Sequence, residues 1–325
     1  MQAECETCHC TTSTQVCPHC HSLYPQRVDG LSNSIIAIIG AKETGKSHYV
    51  AVLIQQIFEI HQIFGWSMQP LDDETMNRYE TDFYKPLYER NQVIPPTQKA
   101  AATGSNRKPL LYSLNIEKNG VFRTMILAFF DTAGEDMDNE IEMLRYNSYI
   151  HNAAGIILLL DPLQQKGLRD KLPDQQRETL SKTLQNDENT KASHIISRTV
   201  NSIMTKSSRR KQIDIPLAVA FSKMDEFREV LGNDAPIYSP SQHKGHFNKA
   251  EFDAINEYVR GWVGNFDPQF MNTTKLFKDA AFFGVSALGG RPEQTKNNQQ
   301  LKNPPRPERV EDPLLWLLWK SHFIE

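Results

Sequence analysis

The sequence predicts an α/β domain whose sheet is mostly parallel with one antiparallel edge strand, preceded by a small cysteine-rich arm. Three observations carry this expectation. Six apolar strand-like runs are spread over residues 34–286, helical periodicity separates several of them, and a glycine-bounded loop, "GAKETGKS", follows the first run directly. All five cysteines fall before residue 21, outside that body.

The arm, residues 1–27, holds two C-x-x-C pairs, Cys5 with Cys8 and Cys17 with Cys20. That is the spacing of a small zinc ribbon, in which four thiolates close a tetrahedral structural site with no open position for catalysis. Cys10, His9, His19 and His21 are surplus and leave other ligand sets open, and a redox dithiol is the competing reading. So short a segment cannot fold on its own apolar burial, so Zn2+ would supply its folding free energy. The arm has few basic residues and little aromatic surface, which points to a protein partner and away from nucleic acid.

A polar linker at residues 28–33 leads into the body, residues 34–290, with strand candidates at 34–40, 110–117, 122–131, 153–161, 216–225 and 280–286. One pair breaks the α/β alternation: "LYSLNIEKNGVFRTMILAFFD" is two strand-like runs joined at Asn119-Gly120, a dipeptide suited to a type I′ hairpin turn. Two long inserts, 65–109 and 164–215, interrupt the pattern. Within the second, a helix is expected through much of 174–205, and "KSSRRK" at 206–211 reads as a solvated basic end. Residues 291–310 are polar and proline-rich and predict a tether. "EDPLLWLLWKSHF" then predicts a short apolar helix docked on the body, with a partner or a membrane surface as alternative docking sites.

Charge excludes little. Lys+Arg 36 against Asp+Glu 39 leaves −3, a balance that demands neither nucleic acid nor a membrane. There is no run long enough to span a bilayer and no secretory leader pattern at the start, so a cytoplasmic location is expected.

Gly40, Ala41, Lys42, Glu43, Thr44, Gly45, Lys46 and Ser47 match G-x-x-x-x-G-K-[ST], between a predicted strand and a predicted helix. In that context glycines let backbone N–H groups turn around phosphate oxygens at the positive end of the helix, where His48 comes next. Lys46 would neutralise the outer phosphates, and Ser47 would offer a hydroxyl to Mg2+. "MILAFFDTAGED" adds Asp131 at the end of an apolar strand, placed to reach Mg2+, and Gly134, whose N–H could meet the terminal phosphate. The bland alternative for Asp131 is a strand-ending turn residue.

Asp131-Thr132-Ala133-Gly134-Glu135 resembles the D-T-A-G signature of small regulatory GTPases. Ser222-Lys223-Met224-Asp225 resembles the [N/T]-K-x-D guanine-reading motif, and Ser286-Ala287-Leu288 the S-A-[KL] element that supports the base. With the hairpin before Asp131, the order is similar to that of the translation-factor-like (TRAFAC) class of P-loop NTPases, over about residues 34–289. The inserts, "PPT" and "EDPLLWLL" resemble the bacterial double-GTPase clade.

The resemblance implies GTP and GDP as ligands, because the Asp225 carboxylate accepts from guanine N1–H and the exocyclic amine. Adenine would leave that carboxylate unsatisfied. It also implies a switch threonine for Mg2+, with Thr97 the candidate and Thr103 its rival, and a catalytic set of Lys46, Thr97, Gly134 and Glu135. Two departures stand out: Ser222 occupies the usual Asn or Thr position, and Glu135 that of the water-positioning Gln. Slow intrinsic hydrolysis is therefore expected, with Arg107, Arg145 or a partner as the source of an arginine finger. A nucleotide-loaded scaffold without turnover and an ATPase are the alternatives to a GTPase switch.

Overall fold

Near-continuous apolar strands form the centre of the protein. The computed structural model describes residues 3–4, 11–12, 35–41, 43–95, 109–118, 120–129, 150, 153–183, 191–204, 212–264, 266–294 and 299–325. In chain order the principal strands are β1 (Ile35–Gly40), β2 (Trp66–Pro70), β3 (Leu110–Lys118), β4 (Val121–Phe129), β5 (Ala153–Leu160), β6 (Leu217–Phe221) and β7 (Ala280–Gly284). The principal helices are α1 (Lys46–Glu59), α2 (Asp174–Thr183), α3 (Ala192–Met204), α4 (Lys249–Val263) and α5 (Asp312–Lys320).

Strands β1, β5, β6 and β7 pair in parallel in the order β1-β5-β6-β7. Their sequences, such as IIAIIG and LAVAF, are apolar at successive positions, as strands covered on both faces require. The period of two divides β1 between two cores. Ile36 and Ile38 join Tyr49, Leu53 and Ile57 of α1 and Trp316 and Leu317 of α5 on one face. Ala37 and Ile39 join Ile196 and Val200 of α3 and Ile255 and Val259 of α4 on the other. Helix α4 is bounded by its own sequence: Asn248 caps it by accepting from Glu251 N at 3.1 Å, and Gly264 at φ 55 ends it.

The antiparallel part is larger than the single edge strand expected. β3 and β4 pair down to Lys118 opposite Val121, and Gly120 lies in the tight connection between them at φ 73. β4 lies beside β1. The insert 65–109 contributes β2, which pairs antiparallel with β3 to make a three-stranded sheet β2-β3-β4. Its sequence, WSMQP, alternates buried Trp66 and Met68 with exposed Ser67 and Gln69, too brief and too polar to stand out as an apolar run. Beyond it, Tyr79–Glu89 winds as a π-helix that buries Tyr79, Phe83 and Leu87, and Tyr79 Oη donates to Ala51 O of α1 at 3.0 Å. Helices α2 and α3 fall within the expected helical span 174–205, while residues 184–190 and the basic run 206–211 lie outside the described residues.

Within the predicted tether 291–310, residues 299–310 are held to the body. Gln92 bridges Gln300, and Leu301 N donates to Asn91 O at 2.7 Å. Ser286 and Glu308 exchange main-chain bonds of 3.0 and 2.8 Å, and Arg306 N donates to Leu288 O at 3.0 Å. These contacts are made by backbone, so polar side chains do not oppose them. The strap then delivers α5 onto β5 and β6. There Leu317 packs so close to Gly155 that a Cβ on the glycine would stand 2.7 Å from it.

Before residue 35 the described structure is the short antiparallel pair Ala3–Glu4 with Thr11–Thr12. Among the described residues no helix is long and apolar enough to cross a membrane.

Candidate nucleotide site

The phosphate loop begins where β1 ends. A Cβ on Gly40 would lie 2.5 Å from Leu159 O and 3.0 Å from Thr44 Oγ1, so the loop can leave the sheet only through glycine. The chain turns with Glu43 at φ 63 and Gly45 at φ 85, and Gly45 is the N-cap of α1. Thr44 Oγ1 donates to Ala41 O at 2.9 Å across the turn. Lys46 Nζ donates to Gly40 O at 2.9 Å and Ala41 O at 3.0 Å, which folds the ammonium over the loop. The first turn of α1 carries no acidic residue, and among the described residues no side chain caps it. A helix start of this kind favours an anion.

Ser47 is half-buried in the first turn of α1. Its neighbour His48 accepts from Ile94 N at 3.1 Å through Nε2. Burial first, and then the charge of Lys223, lower the His48 pKa to about 4. The ring is therefore neutral at ordinary pH and keeps this acceptor. That bond ties the chain at Ile94 to the helix that follows the loop.

The segment Ser222-Lys223-Met224-Asp225 is joined to the same loop. β6 ends at Phe221, earlier than the run 216–225 suggests, and Asp225 sits in the following 3-10 turn, Met224–Phe227. Ser222 Oγ lies 2.9 Å from Thr44 O and 3.2 Å from Leu160 O. Lys223, at φ 54, donates through Nζ to Glu43 O at 3.0 Å and to Asp161 Oδ2 at 2.6 Å. Asp161, 1% exposed, also accepts from Leu163 N at 2.9 Å. Ser286 Oγ receives a bond from Gly289 N at 3.0 Å and donates to Asp225 Oδ1 at 2.5 Å, which orients the half-buried carboxylate. Ala287 and Leu288, half-buried, continue that loop.

Sequence reasoning passed over Asp161, although it ends an apolar run as Asp131 does, and missed the His48–Ile94 bond, for which no sequence signal exists. Lys42, Thr97, Thr103, Arg107, Asp131, Gly134, Glu135, Arg145 and the cysteines Cys5, Cys8, Cys17 and Cys20 lie outside the described residues. Among the described residues no cluster of three or more His, Cys, Asp or Glu is arranged to hold a metal. What is described fits the two ends of a nucleotide: a helix start and an ammonium for phosphates, and an oriented carboxylate for a base, held to one loop by Ser222 and Lys223.

SaeC of Mycolicibacterium smegmatis, a candidate ESX-1 scaffolding and assembly protein, is 37% identical over 164 residues, 50% of this chain and 42% of SaeC. This chain thus spans less than half the length of that relative. The GTPase-like domain of S. cerevisiae Ski7, solved with GTP and with GDP plus inorganic phosphate, aligns at 14% and 16% identity. Each alignment covers 89% of this chain and 50% of that one at a TM-score of 0.36, too loose a likeness to bear on function. The model of the Double-GTPase 2 family matches residues 34–284, and the chain belongs to that family.

Proposed function

We propose that the chain is a guanine-nucleotide switch that binds GTP and GDP with Mg2+, hydrolyses GTP slowly and acts through a protein partner in the cytoplasm. The observation that carries this reading is the Ser222 Oγ contact with Thr44 O, which joins the base-reading motif to the phosphate loop within hydrogen-bond distance. In this reading Lys46 and the amides of the loop from Gly40 to Ser47 hold the phosphates and stabilise charge on the transferring group. Asp225, steadied by Ser286, reads guanine. Ser47 fits a Mg2+ ligand at the start of α1, with Thr97 and Asp131 completing the set from the sequence; the ion would neutralise the β- and γ-oxygens. Glu135 orients the attacking water and Gly134 meets the terminal phosphate. Cys5, Cys8, Cys17 and Cys20 hold Zn2+ in the arm, which contacts the partner.

The description of SaeC as a candidate scaffolding and assembly protein supports action through partners and also favours a second reading, a loaded scaffold that does not turn over. Calorimetry with GDP, GTP and ATP in Mg2+ tests nucleotide choice, and ATP binding as tightly as GTP would remove the guanine reading. Single-turnover hydrolysis separates switch from scaffold: phosphate release no faster than that of Lys46→Ala leaves only the scaffold.

A further inference from the structure

Asp225 is enclosed by a ring of contacts that runs through the C-terminal strap. Ser286 donates to the Asp225 carboxylate from its side chain, and its backbone is paired in both directions with Glu308. The Glu308 carboxylate forms an ion pair with Arg228. The Arg228 guanidinium lies 3.9 Å from the centre of the Tyr238 ring, and Tyr238 Oη donates to Met224 O at 2.8 Å. Met224 is the residue before Asp225, so the ring closes on the base-reading motif. Alongside it, a Cβ on Gly289 would stand 2.3 Å from Arg306 O, so strap and loop approach as closely as glycine allows.

We propose that Glu308 is a positioning residue for purine recognition, a reading that rests on the guanine switch argued above. Glu308 need not touch the base. Its backbone fixes Ser286 and its carboxylate fixes Arg228 and Tyr238, so it holds both sides of the Asp225 turn. An isolated, partly exposed ion pair would contribute little. Glu308 differs because the same residue supplies the main-chain bridge to Ser286. Burial raises its pKa, the Arg228 charge opposes this, and the Asp225 charge adds to the rise, in keeping with a place beside the reading carboxylate.

Equilibrium affinities of the full chain for GDP and IDP test this, because hypoxanthine lacks the exocyclic amine and the ratio reports the second bond to Asp225. Wild type is expected to prefer GDP by about tenfold, the worth of one bond to a charged acceptor. Glu308→Gln should shrink that preference by about fivefold. Tyr238→Phe, which deletes one oxygen and keeps the ring under Arg228, should act in the same direction, and it carries the test if Glu308→Gln does not fold. In an Asp225→Ala background neither change should alter the ratio further. Equal weakening of GDP and IDP, or an unchanged ratio in both variants, overturns the positioning role and leaves the guanine switch standing. A wild type that takes up neither nucleotide overturns both.

Discussion

Gly40 and Gly45 are both invariants of the phosphate-loop pattern, yet the structure requires them for different reasons, and substitution separates those reasons. A Cβ at Gly40 would sit 2.5 Å from Leu159 O, and contacts under 3.0 Å essentially do not occur, so something must yield by about 0.5 Å. Leu159 is fully buried in a central parallel strand, so the loop is the part that moves. Gly40→Ala should therefore cost about 1–3 kcal/mol in overpacking. In the proposed reading the displaced atoms begin the phosphate cradle, so GDP affinity should fall by at least about tenfold. At Gly45 a Cβ meets nothing within 4 Å, but φ is +85. Gly45→Ala should cost about 1–2 kcal/mol from the left-handed backbone alone, and Gly45→Asn less, since Asn tolerates that region. Urea unfolding and calorimetric GDP titration of the three variants read both quantities. If Gly40→Ala matches wild type in stability and affinity, or if Asn is no better than Ala at Gly45, the steric and conformational reasoning is wrong.

Other outcomes follow from the strap and the arm. Burial raises the carboxyl pKa of both Glu311 and Asp312, with Glu311 moved to about 7, among His243, Glu251 and Arg309. A folded-state pKa above the unfolded one means the native state binds more protons, so this contribution to stability is lost as pH rises from the ordinary carboxylate range to about 7. Glu311→Gln should then raise the melting temperature relative to wild type at pH 8 and bring little gain at pH 5; the reverse order would refute the assignment. Trp316 is 3% exposed against Phe252 and Phe283, and Trp316→Ala should cost about 3–5 kcal/mol in urea unfolding. Tyr49→Phe removes the bond to Val310 O and should cost about 1 kcal/mol, measured the same way. Chelation should release one Zn2+ for the four arm thiolates and leave GDP affinity of the body unchanged, as read by metal analysis and calorimetry.

What was legible in the sequence is what local chemistry encodes. The buried strands carry apolar residues at consecutive positions, and the turn at Gly120 and the loop at Gly40 need a residue type that few other sites need. β2 was hidden because a five-residue strand with one buried face shows only Trp66 and Met68. The strap was misread because Leu301, Arg306 and Glu308 are held through main-chain atoms, to which composition is blind. Asp161 and His48 gain their roles from Lys223 and Ile94, partners 62 and 46 positions away, and no local window contains both members of either pair.

The packing of α5 changes what a deletion can teach. Leu314, Leu315, Trp316, Leu317 and Leu318 are all nearly inaccessible to solvent, and they shield the same side of the parallel layer as α1 does. Shortening the chain ahead of Asp312 would strip that cover and lay bare a broad oily face, which invites self-association. Loss of function in such a truncated form would then report clumping, and point changes on the outside of the strap are the cleaner way to ask what it does.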